Sequence, residues 1–383
     1  MSKGQKITIA IVLIIILGVI GYLMFFKSDK PLIPENGSLG DLPDATNGED
    51  SLSGDQGSVL SRISDSERSV FGFWIDQVSG DVVYITTSGR VLGANSLPNQ
   101  EISLQEISAI NKIQPGVDGD MVIVSFGDPK NPSWGVYDTG DNSWRPLPVS
   151  IEYLTWGSNK NTLLGTIAES GDRILAEINL EETLFGNGSI DYTALIRNFN
   201  IKDIDIYWAE PNRIIVAEKP SSFYNSKVWE IDRDSLSMNL LVGATNSFKS
   251  NWIHGHDVVF AINNGNEFFV LNKELQNNLF VPFTTYPSKC APTETGIYCF
   301  VPREVPDNQT WEDYDKKKFK TNDDLLVINR TSMDLENIEI RDNSNLNITI
   351  DAKNPFYSNG KLYFINNIDN SLYSVDLEIE ADN

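Results

Sequence analysis

One short pattern limits what this chain can fold into. It is a strand of aliphatic, aromatic and β-branched residues that stops at Asp or Asn. Its clearest copy is Ser226-Lys-Val-Trp-Glu-Ile-Asp232. Relatives are Trp134-Gly-Val-Tyr-Asp138, Ile174-Leu-Ala-Glu-Ile-Asn179, Phe268-Phe-Val-Leu-Asn272, Leu325-Leu-Val-Ile-Asn329 and Leu372-Tyr-Ser-Val-Asp376, with Val91-Leu-Gly-Ala-Asn95 a degraded copy. The terminal residues recur at about 47 positions on average, a period that marks arrays of supersecondary units. Such a unit cannot bury both faces of its sheet alone, so neighbours must stack on it.

Each copy follows a hairpin with turn residues between its strands. Val70–Ile75 pairs with Val82–Ile85 across Ser79-Gly80, and Ile110–Ile113 with Met121–Val124 across Asp118-Gly119. Ile151–Trp156 pairs with Thr162–Leu164, and Ile204–Trp208 with Arg213–Val216. Ser250–Ile253 pairs with Val258–Phe260, Lys289–Ala291 with Ile297–Phe300, and Pro355–Tyr357 with Lys361–Phe364 across Asn359-Gly360. Seven such units predict an all-β, seven-bladed β-propeller over residues 58–379. Two β-sandwich domains are the competing architecture, and the repeat disfavours them. Only seven residues follow Asp376, too few for an outer strand in the last blade. Ser58–Ile63 is expected to supply that strand and close the ring.

The segments before the repeats differ. Residues 1–6 are a short tail with Lys3 and Lys6. Ile7 to Phe26 is an uncharged run of 20 residues, long enough as a helix to cross about 30 Å of hydrocarbon. A transmembrane helix is expected there, since no small-residue cleavage site follows it. Residues 27–57, rich in Gly, Ser, Pro and acids, read as a flexible linker. The expectation is a single-pass cell-membrane protein with its propeller on the extracytoplasmic side. The net charge of -23, from 53 acids against 30 bases, argues against nucleic-acid binding.

The hairpins followed by a strand ending in Asp or Asn resemble WD40-like and TolB-like propeller repeats. The layout of tail, span, acidic linker and repeat body is similar to that of membrane-anchored bacterial propellers. The Gly-His and Trp-Asp pairs of WD40 repeats are missing, so the resemblance implies the fold and not a particular activity.

Cys290 and Cys299 lie symmetrically about the turn of the sixth hairpin and could face each other. A cross-strand disulfide is expected, with two buried free thiols as the alternative. His254 and His256 fall in a turn and read as solvated, not as metal ligands. Asp138–Asn142, Asp232–Asp234 and Asn263–Glu267 likewise fall at turns, where acids and amides belong on backbone grounds. No nucleophile elbow, HExxH or P-loop occurs, so no cofactor or metal is implied.

Long loops between second and third strands are the candidate binding surface. Gly127–Trp134, Lys219–Asn225 and Arg303–Asn322 place Trp134, Tyr224, Trp311 and Tyr314 there, among polar residues. Aromatics in such settings serve partner surfaces. The sequence therefore predicts a protein- or peptide-binding or scaffolding module in the cell envelope. A cell-envelope hydrolase acting on glycans or peptides is the alternative, with Glu312, Asp313 and Asp315 as its carboxylates.

Overall fold

The computed structural model describes residues 58–377, except 104, 117, 186–188, 211, 220–224, 247, 253–257, 263–266, 273–280, 307–308 and 343–347. The expected transmembrane segment, the linker, Tyr224, His254 and His256 lie outside the described residues. No helix among the described residues is long and apolar enough to cross a membrane.

Seven antiparallel sheets follow one another along the chain. In blade 1, Val70–Ile75, Val82–Thr86, Val91–Gly93 and Gln100–Glu101 run from inner to outer strand. Blade 2 is Ile110–Pro115, Met121–Asp128, Asn131–Asp138 and Ser143–Pro146; blade 3 is Ile151–Trp156, Thr162–Glu169, Asp172–Asn179 and Tyr192–Ile196. Blade 4 is Ile204–Glu210, Arg213–Glu218, Asn225–Asp232 and Met238–Asn246. The described strands of blade 5 are Lys249–Trp252, Val258–Ile262 and Phe268–Asn272. Blade 6 is Cys290–Pro292, Gly296–Pro302, Asp323–Asn329 and Leu335–Ile338. Blade 7 begins with Ala352–Ser358, Lys361–Asn366 and Ser371–Asp376. The paired strands of every expected hairpin are present, as are the Asp- and Asn-terminated strands, except that the degraded copy ends at Gly93, short of Asn95.

The ring closes as the sequence predicts. Ser58–Arg62 pairs antiparallel with blade 7, Leu60 opposite Val375 and Arg62 opposite Tyr373. The sequence did not reveal a fifth strand, Ile340–Asp342, which runs parallel to Ser58–Leu60 and covers its outer edge. An edge strand left bare would be open to pairing with other chains.

Period-2 alternation explains the stacking. In Val82–Thr86, Val82 and Tyr84 join a core with Tyr363, Ile365 and Leu372 of blade 7. Val83 and Ile85 join the opposite core, with Val122, Val124 and Tyr137 of blade 2. Apolar cores of this kind join each blade to the next around the ring. Each second strand is therefore buried on both faces, which a sheet sandwiched between sheets requires.

The recurring Asp and Asn residues serve the backbone. Asp138 Oδ1 accepts from the Gly140 amide at 2.9 Å, Asp232 Oδ1 from Ser235 at 2.7 Å, and Asn329 Oδ1 from Thr331 at 2.8 Å. Each carboxylate or amide thus holds the turn into the fourth strand, a local bond for which these side chains are suited. Two hairpin turns rely on glycine. Asn359-Gly360 has φ of 51° and 75°, the left-handed pair that a two-residue hairpin favours. Gly119, at φ 68°, comes so close to blade 1 that a Cβ there would lie 2.1 Å from the Ile75 carbonyl oxygen.

Three inner strands also end alike, a signal the acid-terminated repeat overshadowed. Trp74, Trp156 and Trp208 stand near the far end of their strands and are buried. The Trp156 indole N–H donates to the Gln114 carbonyl of the preceding blade at 2.8 Å.

Candidate binding site at the crossover mouth

Inner strands start at the end of the ring where the chain crosses from blade to blade. The second strand returns to that end, so its loop to the third strand lies there too. Side chains at strand starts and in these loops form the mouth of the channel. The loop of blade 6 is the most elaborate of them.

A short helix, α1 (Leu180–Phe185), follows the third strand of blade 3, on the opposite end. The helix that matters at the mouth is α2 (Trp311–Asp315). Thr310 caps it: its hydroxyl accepts from the Asp313 amide, and the Asp313 carboxylate accepts from the Thr310 amide. This reciprocal bond satisfies N–H groups the first turn cannot. Lys318 pairs with Asp313, and Lys316 pairs with Glu312 one turn away. With these bonds, the Asp313 carboxyl is held down to about 2, through Lys318 first and then Thr310.

Trp311 and Tyr314 face inward from α2. They pack with Tyr286 and Ile262 and are 4% and 8% exposed. The Trp311 and Tyr286 rings stack at 5.3 Å. This corrects the expectation of an exposed aromatic face, because a one-turn helix can hold its place only by burying its large side chains. Trp134 is corrected similarly. The second and third strands of blade 2 continue pairing until Asp128 meets Asn131, so no enlarged loop exists. Trp134 is buried against blade 3.

Beneath α2 lies a node that the sequence did not reveal. Lys289 is fully buried at the start of blade 6. Its Nζ donates to Asp323 at 2.6 Å, Asp351 at 2.7 Å, Thr321 at 2.9 Å and the Ala352 carbonyl at 3.1 Å. Tyr314 and Thr321 also donate to Asp351, at 2.6 and 2.8 Å. The node joins blade 6, blade 7 and α2. Burial raises the Asp323 carboxyl above its ordinary value despite the pull of Lys289. Burial pushes Asp351 upward as well, but the Lys289 charge and the three donated bonds outweigh it and hold it low. Removing water from two carboxylates and an ammonium is costly, so the bonds among them must be kept. Partners lying 32 to 62 residues from Lys289 leave no local spacing to read.

A second ion pair links blade 5 to α2. Lys249 pairs with Asp315 and donates to the Tyr286 hydroxyl, which itself donates to Asp315. The acids Glu312, Asp313 and Asp315 are therefore all engaged in pairs that build the mouth. Across the channel, Lys112 of blade 2 pairs with Asp205 of blade 4 at 3.6 Å.

Cys290, next to Lys289, lies opposite Cys299 in the ladder, and the two form the expected disulfide. Their Cα atoms are 4.1 Å apart, as facing residues of antiparallel strands require. Behind the mouth, a cavity of about 830 Å³ opens between blade 6 and the crossover to blade 7, lined by Arg303, Asp324, Leu325, Ile338 and Ile348.

Seven stacked antiparallel blades, closed by the first strand and carrying a loop helix at the crossover end, define a seven-bladed β-propeller. Its fold is consistent with a binding or scaffold module. No protein-family model and no curated protein matches the chain. Among solved structures it is similar to an oligogalacturonate lyase from Vibrio parahaemolyticus, at TM-score 0.54 and 10% identity over 83% of this chain and 93% of that one. An oligogalacturonate lyase in complex with manganese gives 0.55 at 11% identity over the same shares, 83% and 93%. The WD40 repeats of RRP9 give 0.52 at 8% identity, over 84% of this chain and 99% of that one. At these identities the likeness shows the fold alone. The WD40 propeller is of the kind the repeat led one to expect.

Proposed function

We propose that this chain is a membrane-anchored β-propeller that binds a protein or peptide outside the cytoplasm through its crossover face. The anchor is the apolar run Ile7 to Phe26, and residues 27–57 tether the propeller to it. The observation that carries the binding reading is the Lys289 node. It fixes α2 across two blades before any partner arrives, and a rim ordered in advance lowers the entropy cost of association. The carboxylates that a hydrolase would use are engaged in ion pairs or buried beneath α2. Two facing carboxylates open to a substrate are what glycoside hydrolysis requires.

Three of the expected contact residues, Trp134, Trp311 and Tyr314, are buried. Trp311 and Tyr314 support the surface from below. Val149 and Ile368, 90% and 37% exposed, lie in crossover-end loops and present apolar side chains to a partner. A photoreactive amino acid placed at position 368 in the native cell envelope tests the reading. Adducts from 368 and none from position 240, on the outer strand of blade 4, are expected. Equal adducts from both positions would overturn it, as would protease protection of the propeller in intact cells.

A further inference from the structure

The inner strands and the residue just before the blade 6 strand carry four lysines at the mouth: Lys112, Lys249, Lys289 and Lys353. Three are matched by carboxylates, Lys112 by Asp205, Lys249 by Asp315, and Lys289 by Asp323 and Asp351. Lys353 differs. Its ammonium lies 5.9 Å from the centre of the Phe71 ring of blade 1, and no carboxylate pairs with it among the described residues. Its strand packs against the Pro287–Lys289 turn, which places it beside α2. Lys317, just past the end of α2 with φ 56°, adds a second cation, and no carboxylate pairs with it among the described residues. The nearby acids are engaged elsewhere. Asp315 accepts from Lys249 and Tyr286, and Asp351 from Lys289, Thr321 and Tyr314.

We infer that Lys353, Lys317 and the Phe71 ring form an oxyanion subsite, which receives a carboxylate or phosphate group of the partner. This rests on the crossover face being the binding surface. A partly buried ammonium without an anion is held at a cost, and a low-dielectric wall beside it strengthens its attraction for one. Burial lowers the Lys353 pKa from its ordinary value and repulsion from Lys317 lowers it further, with the Asp315 and Asp351 charges pulling the other way. An entering anion would offset the lowering.

The test is calorimetric titration of the full-length chain in detergent micelles with a hexa-aspartate peptide and, separately, with inorganic phosphate. Saturable binding of at least one probe is expected. Lys353→Met should weaken it by about tenfold or more, since a charge-assisted contact is lost. Lys353→Arg should retain it, and Lys160→Met, in a hairpin turn of blade 3 at the opposite end of the ring, should leave it unchanged. Tighter binding of the peptide assigns a carboxylate, and tighter binding of phosphate assigns a phosphoryl group. The melting temperature of Lys353→Met should hold or rise, and a fall would give the lysine a structural role and overturn the subsite. If that variant does not fold, Lys317→Met must weaken binding several-fold for the inference to stand. No saturable binding of either probe overturns it, even where position 368 still gives adducts. Saturable, Lys353-dependent binding without adducts from 368 would fail the protein-partner reading alone.

Discussion

Blades 2 and 6 share one scaffold and use their second-to-third connections in opposite ways. In blade 2 the strands pair down to Asp128 opposite Asn131, and Trp134 serves the core between blades. In blade 6 the same connection leaves the sheet at Pro302 and returns at Asp323, with a capped helix between. Both segments hold an aromatic residue among polar and proline neighbours, and sequence composition does not separate them. The difference lies in what each has to pack on. Trp134 meets the apolar face of blade 3, while Trp311 and Tyr314 meet Tyr286 and the ion-paired node around Lys289. The second-to-third connection of blade 2 is structural alone, whereas that of blade 6 also shapes the mouth.

The comparison can be broken first at Lys289. Lys289→Met leaves two carboxylates buried without their cation, and a loss of about 3–5 kcal/mol in chemical denaturation is expected. Hydrogen exchange in 310–318 should accelerate in the same variant, because Tyr314 loses its fixed partner. Little loss of stability with an unchanged exchange rate would show that the node does not hold α2. Trp134→Ala should cost about 3–5 kcal/mol through its cavity. Exchange in 310–318 should then follow only the global stability, since Trp134 packs in the core between blades 2 and 3 and not with α2.

Tyr314→Phe sharpens the contrast. The ring still packs, but the bonds to Asp351 and Asn367 are lost. A cost of about 1–2 kcal/mol is expected for a buried pair of this kind, read by denaturation. A neutral result would assign the Tyr314 contribution to packing alone.

The smallest effect concerns acid. The Asp313 carboxyl is held down to about 2, against an ordinary 3.8. A depressed carboxyl contributes stability that is present above its unfolded value and lost as pH falls through the folded one. Protection of the α2 amides should therefore weaken as pH falls from about 4 to about 2. Asp313→Asn should remove that dependence while leaving blade 2 amides unaffected. An identical acid profile in the variant would count against the cap.

The sequence alone determined the blade count, the hairpins, the closing strand and the pairing of Cys290 with Cys299. These follow from short-range physics: period-2 burial, turn chemistry at Asp, Asn and Gly, and a repeat that cannot bury itself alone. The turn bonds of Asp138, Asp232 and Asn329 explain why the acid-terminated strand was so visible. Tertiary structure alone decided the mouth. Lys289 meets Asp351 across 62 positions, and Lys249 meets Asp315 across 66. No local pattern encodes such pairs, because they arise only where the ring brings blades 5, 6 and 7 together. Stacking also decided which aromatics turn inward, since Trp134, Trp311 and Tyr314 became core once a neighbour offered an apolar or ring-lined face. Lys353 is distinctive for the same reason: closure gave Lys112, Lys249 and Lys289 carboxylates to pair with, and among the described residues none pairs with Lys353.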